Sequence, residues 1–401
     1  MAKYRSCIIW TVIFAVLMAG VMPVSPVNAA SLGDILGGKS SGIGIFDILI
    51  GLFVGNLLNK VGDISATNKA GAFSLPDSGG NSQGKEVIGF YAEWWGEDTS
   101  SYNSMIKNTD TINTIVPFWA TLKADGSVVD RGGNDHLSVV KAAKQHNIKT
   151  YLMVNNATEK GSFSPIHNVL SDSSLRTVAI DNLEAYIKKY GLKGINIDFE
   201  TVPAEDRDNL TAFMQELSER LKPQGYVVSI DVFPKTNEDN EISIAYDYAE
   251  LAKCVDKIMI MAYDNHGVWS GPGPIADVRW VEDNLKYALK FIPKNKLYLG
   301  IAGYGYDWSS KGVEAMEYGP ITNLIKQFGA DVKWDDPSDT PWFTYTGPDG
   351  VRHTVWYENK ESLKFKLNLV NKYDLAGVAL WKLGEEDPGY WQVFKDKLHL
   401  K

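Results

Sequence analysis

The run "GINIDFE" at 194–200 places Asn196, Asp198 and Glu200 at every second position of a short apolar segment. Alternate side chains of a β-strand share a face, so these three polar groups point one way and Ile195, Ile197 and Phe199 point the other. Two carboxyl groups so spaced at the end of a partly dry strand form an arrangement that raises one pKa and readies that acid to give up a proton. In this reading Asp198 shares a proton relationship with Glu200, and Asn196 hydrogen-bonds Asp198 from beneath. Cα atoms two apart on a strand are about 6–7 Å apart, which leaves the carboxyl separation, and with it the mechanism, open.

Such a stripe needs a frame that brings other groups to it. Short β-rich runs alternate with amphipathic stretches, and the expected strands are Val87 to Ala92, Ile112 to Trp119, Thr150 to Asn155, Gly194 to Phe199, Tyr226 to Val232, Lys257 to Tyr263, Leu297 to Gly303 and Leu375 to Trp381. Helix-like segments such as "DNLTAFMQELSERLK" before the fifth strand and "VRWVEDNLKYALKFI" before the seventh separate most of them. Eight strands alternating with helices predict an α/β fold, a closed (β/α)8 TIM barrel, whose active sites form at the C-terminal strand ends. An open doubly wound sheet is the alternative, but no Gly-rich phosphate turn follows the first strand. On the barrel, Glu200 ends the fourth strand, Asp231 lies near the end of the fifth, Tyr263 and Asp264 end the sixth, and Trp381 ends the eighth. The gap between the last two strands is too long for one helix. Its "TYTGPDGVRHTVWYE" reads as a hairpin, which predicts a small α+β insertion at about 308–360.

The chain has 401 residues, 44% hydrophobic and 22% charged, enough for a large core. Lys3 and Arg5 precede an apolar run from Cys7 to Met22, and Val27-Asn28-Ala29 offers a small-residue cleavage site, so residues 1–29 read as a secretory signal peptide. Its removal takes the formal net charge from −9 to −11 and leaves Cys254 as the sole thiol. An acidic surface argues against nucleic acid as a partner. Residues 30–64 form a Gly-rich hydrophobic segment in which 43–58 is apolar on all sides, suited to peripheral association with a membrane or wall. Residues 65–84, rich in Ser, Gly and Asn, read as a linker, and 85–401 as the barrel domain. The six histidines show no metal-ligand spacing, and there is no G-x-S-x-G elbow or phosphate loop, so no metal or other cofactor is expected. Trp94, Trp95, Trp119, Trp269, Trp308 and Trp342 lie near strand ends or in the insertion, where rings either stack on sugar faces or serve packing.

"KGINIDFE" resembles the D-x-x-D-x-D-x-E signature of glycoside hydrolase family 18, the chitinase and N-acetylglucosaminidase family. "IMIMAYDNH" resembles its sixth-strand M-x-Y-D motif, "GVALWKLGEEDPGYW" its eighth-strand tryptophan segment, and "IGFYAEWW" its first strand. The likeness runs from about residue 85 to 400 and is nearest to bacterial spore and cell-wall N-acetylglucosaminidases. It implies a secreted glycosidase acting at the cell wall or spore surface, with an amino-sugar polysaccharide or oligosaccharide, from peptidoglycan or chitin, as partner. It further implies that Glu200 protonates the glycosidic oxygen, that Asp198 orients the substrate's N-acetyl group for attack on its own anomeric carbon, and that Tyr263 hydrogen-bonds that acetamide. Trp381 would lie beneath the sugar, with Met261 and Asp264 of the sixth-strand motif beside it, Asp231 and Tyr91 as further substrate contacts, and Asn196 in support. Lys193 and Asn196 stand where the signature has Asp, and "VNNA" at 154–157 replaces the family's S-x-G-G. A non-catalytic glycan-binding relative is the alternative, although such proteins usually lack an acid at the Glu200 position.

Overall fold

The structure is a computed structural model that describes residues 84–94, 98–157 and 166–400. The expected leader, the hydrophobic segment with its expected 43–58 contact, nearly all of the expected linker, and Trp95 lie outside the described residues.

In chain order the first half comprises β1 (Glu86–Tyr91), α1 (Ser100–Lys107), β2 (Thr114–Leu122), β3 (Val128–Asp130), α2 (His136–Gln145), β4 (Lys149–Asn155), α3 (Ile166–Ser171), α4 (Ser173–Tyr190) and β5 (Gly194–Asp198). Next come α5 (Arg207–Leu221), β6 (Val227–Val232), α6 (Tyr248–Cys254), β7 (Lys257–Ile260), α7 (Val278–Ala288) and β8 (Leu297–Ala302). The insertion supplies β9 (Tyr304–Ser309), β10 (Gly312–Glu317), α8 (Tyr318–Phe328), β11 (Lys333–Asp335), β12 (Thr340–Thr346) and β13 (Arg352–Tyr357), before α9 (Lys360–Lys372), β14 (Gly377–Trp381) and α10 (Tyr390–Lys397).

Eight of these strands pair in parallel in the order β1, β14, β8, β7, β6, β5, β4, β2, and β2 returns to β1, which closes the barrel. All eight expected strands are present, with ends displaced by a few residues. The short β3, unforeseen, adds antiparallel to β2 outside the circle, so the fourth barrel strand is β5.

Local chemistry accounts for the elements. Asp172 caps α4 by accepting from the Ser174 and Leu175 backbone N–H groups, and Gly191 ends that helix in the left-handed region at φ 66°. Along α5, Leu210, Phe213, Met214, Leu217 and Leu221 are buried at helical spacing, each contributing roughly 1.5–3 kcal/mol. That stripe covers Ile195, Ile197 and Phe199, which belong to the layer between strands and helices. Inside the barrel a separate cluster contains Ile88, Phe90, Phe118, Met153, Met259 and Tyr298.

The insertion begins earlier than the turn chemistry indicated, at Tyr304, with only Gly303 between it and the end of β8. Its five strands pair antiparallel in the order β10, β9, β13, β12, β11. The expected hairpin is β12 and β13, closed where Gly347 donates to Val351 O at 2.8 Å. One face of this sheet packs α8 through Ile321, Phe343 and Val355. The other packs Tyr304, Tyr306 and Trp308 toward Tyr263 and Trp381 at the barrel mouth.

Candidate active site

The stripe has the orientation its spacing requires. Asn196, Asp198 and Glu200 are 0, 4 and 6% exposed, while Ile195 and Ile197 face the helices. Glu200 lies two residues beyond the end of β5, at the C-terminal rim where this fold places chemistry. Its position is set through its backbone: Glu200 N donates to Asn156 Oδ1 and Asn156 Nδ2 donates to Glu200 O, both at 2.9 Å. One residue earlier, Tyr246 OH donates to Phe199 O at 2.5 Å. The "VNNA" segment therefore supplies a clamp for Glu200, a role that nothing in local spacing reveals because it spans 44 residues of chain.

Asn196 does not support Asp198 from beneath. Its Nδ2 donates to Asp231 Oδ2 at 2.5 Å, and its Oδ1 accepts from Ser229 Oγ at 2.8 Å. The β5/β6 register pairs Asn196 with Ser229 and Ile197 with Ile230, and one further step sets Asp198 beside Asp231. Burial pushes Asp198 up to about 7. Burial also holds Asp231 well above the usual carboxylate range, Asp198 adds to that rise, and the Asn196 amide opposes it. The acid set beside Asp198 across the strands is thus Asp231.

Past the end of β7, Tyr263 meets these groups. Burial holds its phenol well above the ordinary value, and Asp231, Asp264, Asp198 and Glu200 all act on it in the same direction. Asp264 sits in the left-handed region at φ 57°, a conformation Asp tolerates better than most residues. There it accepts from Tyr304 OH at 2.6 Å and Tyr306 OH at 3.1 Å, both from the insertion. Burial raises Asp264 to about 6 against the lowering by these hydroxyls. Met261 lies just past β7, where its N–H donates to Val232 O at 3.0 Å.

The Tyr263 ring packs on bare backbone. A Cβ at Gly300 of β8 would stand 2.5 Å from Ile260 O and 2.9 Å from Tyr263 Cε1. Gly300→Ala should therefore cost about 1–3 kcal/mol of stability and, by displacing Tyr263, lower turnover by about tenfold or more. Thermal melts and initial rates on one preparation check both.

Trp381 lies half-buried at the end of β14. Phe90, Trp94 and Phe118 surround it at centroid distances of 5.5, 6.3 and 6.4 Å. Tyr91, expected as a substrate contact, points elsewhere: it is fully buried in the strand–helix layer, with its hydroxyl donating to Glu93 at 2.9 Å. Phe90, its neighbour, faces the barrel interior instead. Trp119 stacks on His136 at 3.9 Å within the core, and Trp308 is buried with its Nε1 on Gly267 and Ser270 carbonyls, so both serve packing. Lys193 is exposed, immediately before β5 at the opposite end of the strand from Glu200.

The family model for glycosyl hydrolases family 18 matches residues 86–386. The chain is a member of that family. It is 31% identical over 308 residues to an uncharacterized glycosylase, YvbX, of Bacillus subtilis, an alignment covering 74% of this chain and 88% of the relative. It is 29% identical over 306 residues to the cortical fragment-lytic enzyme of Bacillus anthracis, covering 72% and 70% of the two chains. Among solved structures, a chitinase from Chromobacterium violaceum superposes with a TM-score of 0.73 at 30% identity, over 78% of this chain and 98% of that one. The Bacillus cereus spore cortex-lytic enzyme SleL shares the fold, with a TM-score of 0.75 at 24% identity over 90% and 86% of the chains. This family 18 chain is accordingly a glycosidase, and the carboxyl groups at the β5 and β6 ends are its candidate machinery.

Proposed function

We propose that this glycosidase cleaves β-1,4 bonds next to N-acetylglucosamine in peptidoglycan or its fragments, outside the cell, by substrate-assisted catalysis with retention. The observation that carries the reading is that Asp198 and Glu200 act on Tyr263 at one barrel rim, where Tyr263 and Trp381 pack against the same insertion cluster. Glu200 gives its proton to the glycosidic oxygen as the bond to the anomeric carbon breaks. The substrate's acetamide oxygen attacks that carbon and forms an oxazolinium ion, whose N–H is held by Asp198 while Tyr263 fixes the acetamide. Glu200, now a carboxylate, takes a proton from water as it opens the ring, so both displacements together retain configuration. The relatives named for cortical fragments favour peptidoglycan over chitin.

Incubation with peptidoglycan fragments and, separately, chitooligosaccharides tests this by mass spectrometry and by proton NMR of the first product. The expected outcome is N-acetylglucosamine-ended product released as the β-anomer, faster from peptidoglycan fragments. Release of the α-anomer would sink substrate assistance, and binding of both glycans without cleavage would leave a lectin.

A further inference from the structure

We propose that Asp231 is the proton-bearing partner of Asp198: in the resting site its Oδ1 carries a proton that it donates to the Asp198 carboxylate, so the pair holds a single negative charge. Asp231 is then a positioning residue, acting on substrate only through Asp198.

The geometry leaves little choice. Both acids are buried on adjacent strands at the same level, and adjacent strands are about 4.8 Å apart. The Asn196 amide takes up Asp231 Oδ2, while Asp231 Oδ1 is buried with no hydrogen-bond partner among the described residues. The ionisable groups that face the pair are Glu200 beyond β5, Tyr246 from the segment before α6, and Tyr263 beyond β7, with Asp264 on the far side of Tyr263. All are acids or phenols, and among the described residues no lysine, arginine or histidine pairs with either carboxylate. Two anions so placed repel at close range in a poorly solvated site, and one proton relieves both the repulsion and the orphaned oxygen. On Asp231 that proton also leaves Asp198 charged, which matters for the reaction proposed above: an oxazolinium N–H needs an anion beside it, and the inference rests on that reading for its functional meaning.

Stability provides a test that needs no substrate. Asp231 of the unfolded chain ionises near 3.8, whereas in the folded chain it keeps its proton to well above that value. Folded protein therefore holds more protons than unfolded protein as pH rises from about 4 toward neutrality, and stability falls across that window. Asp231→Asn keeps the size, the acceptor for Asn196 and a donor for Asp198, but has nothing to ionise. Its Tm should match the native protein near pH 4 and exceed it by about 3 °C or more at pH 8. In kcat/KM the same variant should extend the alkaline limb, since no second charge then appears beside Glu200, and should stay within about tenfold of native turnover. Asp231→Leu, with no donor, should lose at least about 100-fold. Parallel Tm–pH curves for native protein and Asp231→Asn, or superimposable pH profiles, would overturn the proposal. If the native protein cleaves neither glycan, the functional reading fails while the melting curves still decide whether the pair keeps a proton.

Discussion

Glu200→Gln should leave a fully folded protein whose turnover on unactivated glycan falls by about 10³-fold, within the 10²–10⁴ range that a positioned general acid supplies. The substitution isolates the proton because the residue is held by its backbone. Both Asn156 contacts reach the main chain of residue 200, and the Tyr246 bond reaches that of residue 199, so the side chain can change without moving the rim. Gln also conserves size and one acceptor. The loss should be much smaller on an aryl glycoside, whose leaving group departs without protonation, and that ratio separates an acid from a residue that merely binds sugar. Equal losses on both substrates, with unchanged melting temperature, would falsify the acid assignment. Binding of chitooligosaccharide or peptidoglycan fragment, followed by tryptophan fluorescence near Trp381, should persist in the variant.

Much of this was legible in the sequence where the physics is local. Period-two alternation along 194–200 is a property of one strand, and it told correctly that Asn196 and Asp198 share the inner face while Ile195 and Ile197 meet helices. Tyr263 and Trp381 were readable for the same reason, as polar or aromatic groups ending apolar runs. Other features depend on which strand lies beside which, and at what register. The Asn196–Asp231 bond joins neighbouring strands 35 residues apart, so the local reading assigned that amide to Asp198, the nearest acid in sequence. Strand parity failed at β1 for a different reason. Both faces of a closed parallel barrel are buried, so Phe90 and Tyr91 are equally apolar neighbours and nothing local decides which one points inward. The Asn156 clamp was invisible because an Asn after a strand is ordinarily turn chemistry. Only the position of Glu200 past the end of the neighbouring strand β5 gives it a backbone to hold. The insertion starts at Tyr304, ahead of the expected 308, because the Tyr304 and Tyr306 hydroxyls and the Trp308 ring nitrogen seat Asp264 and the Gly267–Ser270 loop, contacts between distant segments that turn chemistry does not reveal.

At the opposite end of the barrel, Lys257→Met should destabilise the protein by about 3–5 kcal/mol while leaving the kcat of the folded fraction unchanged. Glu86 opens β1 and Lys257 opens β7, and the two form a buried ion pair on the barrel floor. Glu86 also accepts from Thr114 Oγ1 at 2.8 Å and Tyr298 OH at 2.7 Å, and the Lys257 ammonium lies 5.0 Å from the Tyr298 ring centre and 5.4 Å from that of Tyr151. Burial works to raise the Glu86 pKa, but Lys257 and these donors more than reverse it and bring it down to about 2. In the native protein this carboxylate contributes stability above its ordinary value of 4.5 that is lost as pH falls toward 2. Removing Lys257 reverses the sign. Burial then dominates, the folded pKa rises above the unfolded one, and the variant loses stability as pH rises. The deficit of Lys257→Met should accordingly be largest near neutrality and shrink toward pH 3, where Glu86 is protonated in both states. The double variant Glu86→Gln/Lys257→Met should recover most of the loss at pH 7, because the cost lies in an uncompensated buried charge more than in the missing attraction. Urea unfolding of the three proteins at pH 3 and pH 7 measures all of this, and a pH-independent deficit in the single variant would place the cost in packing around Tyr151 and Tyr298 instead.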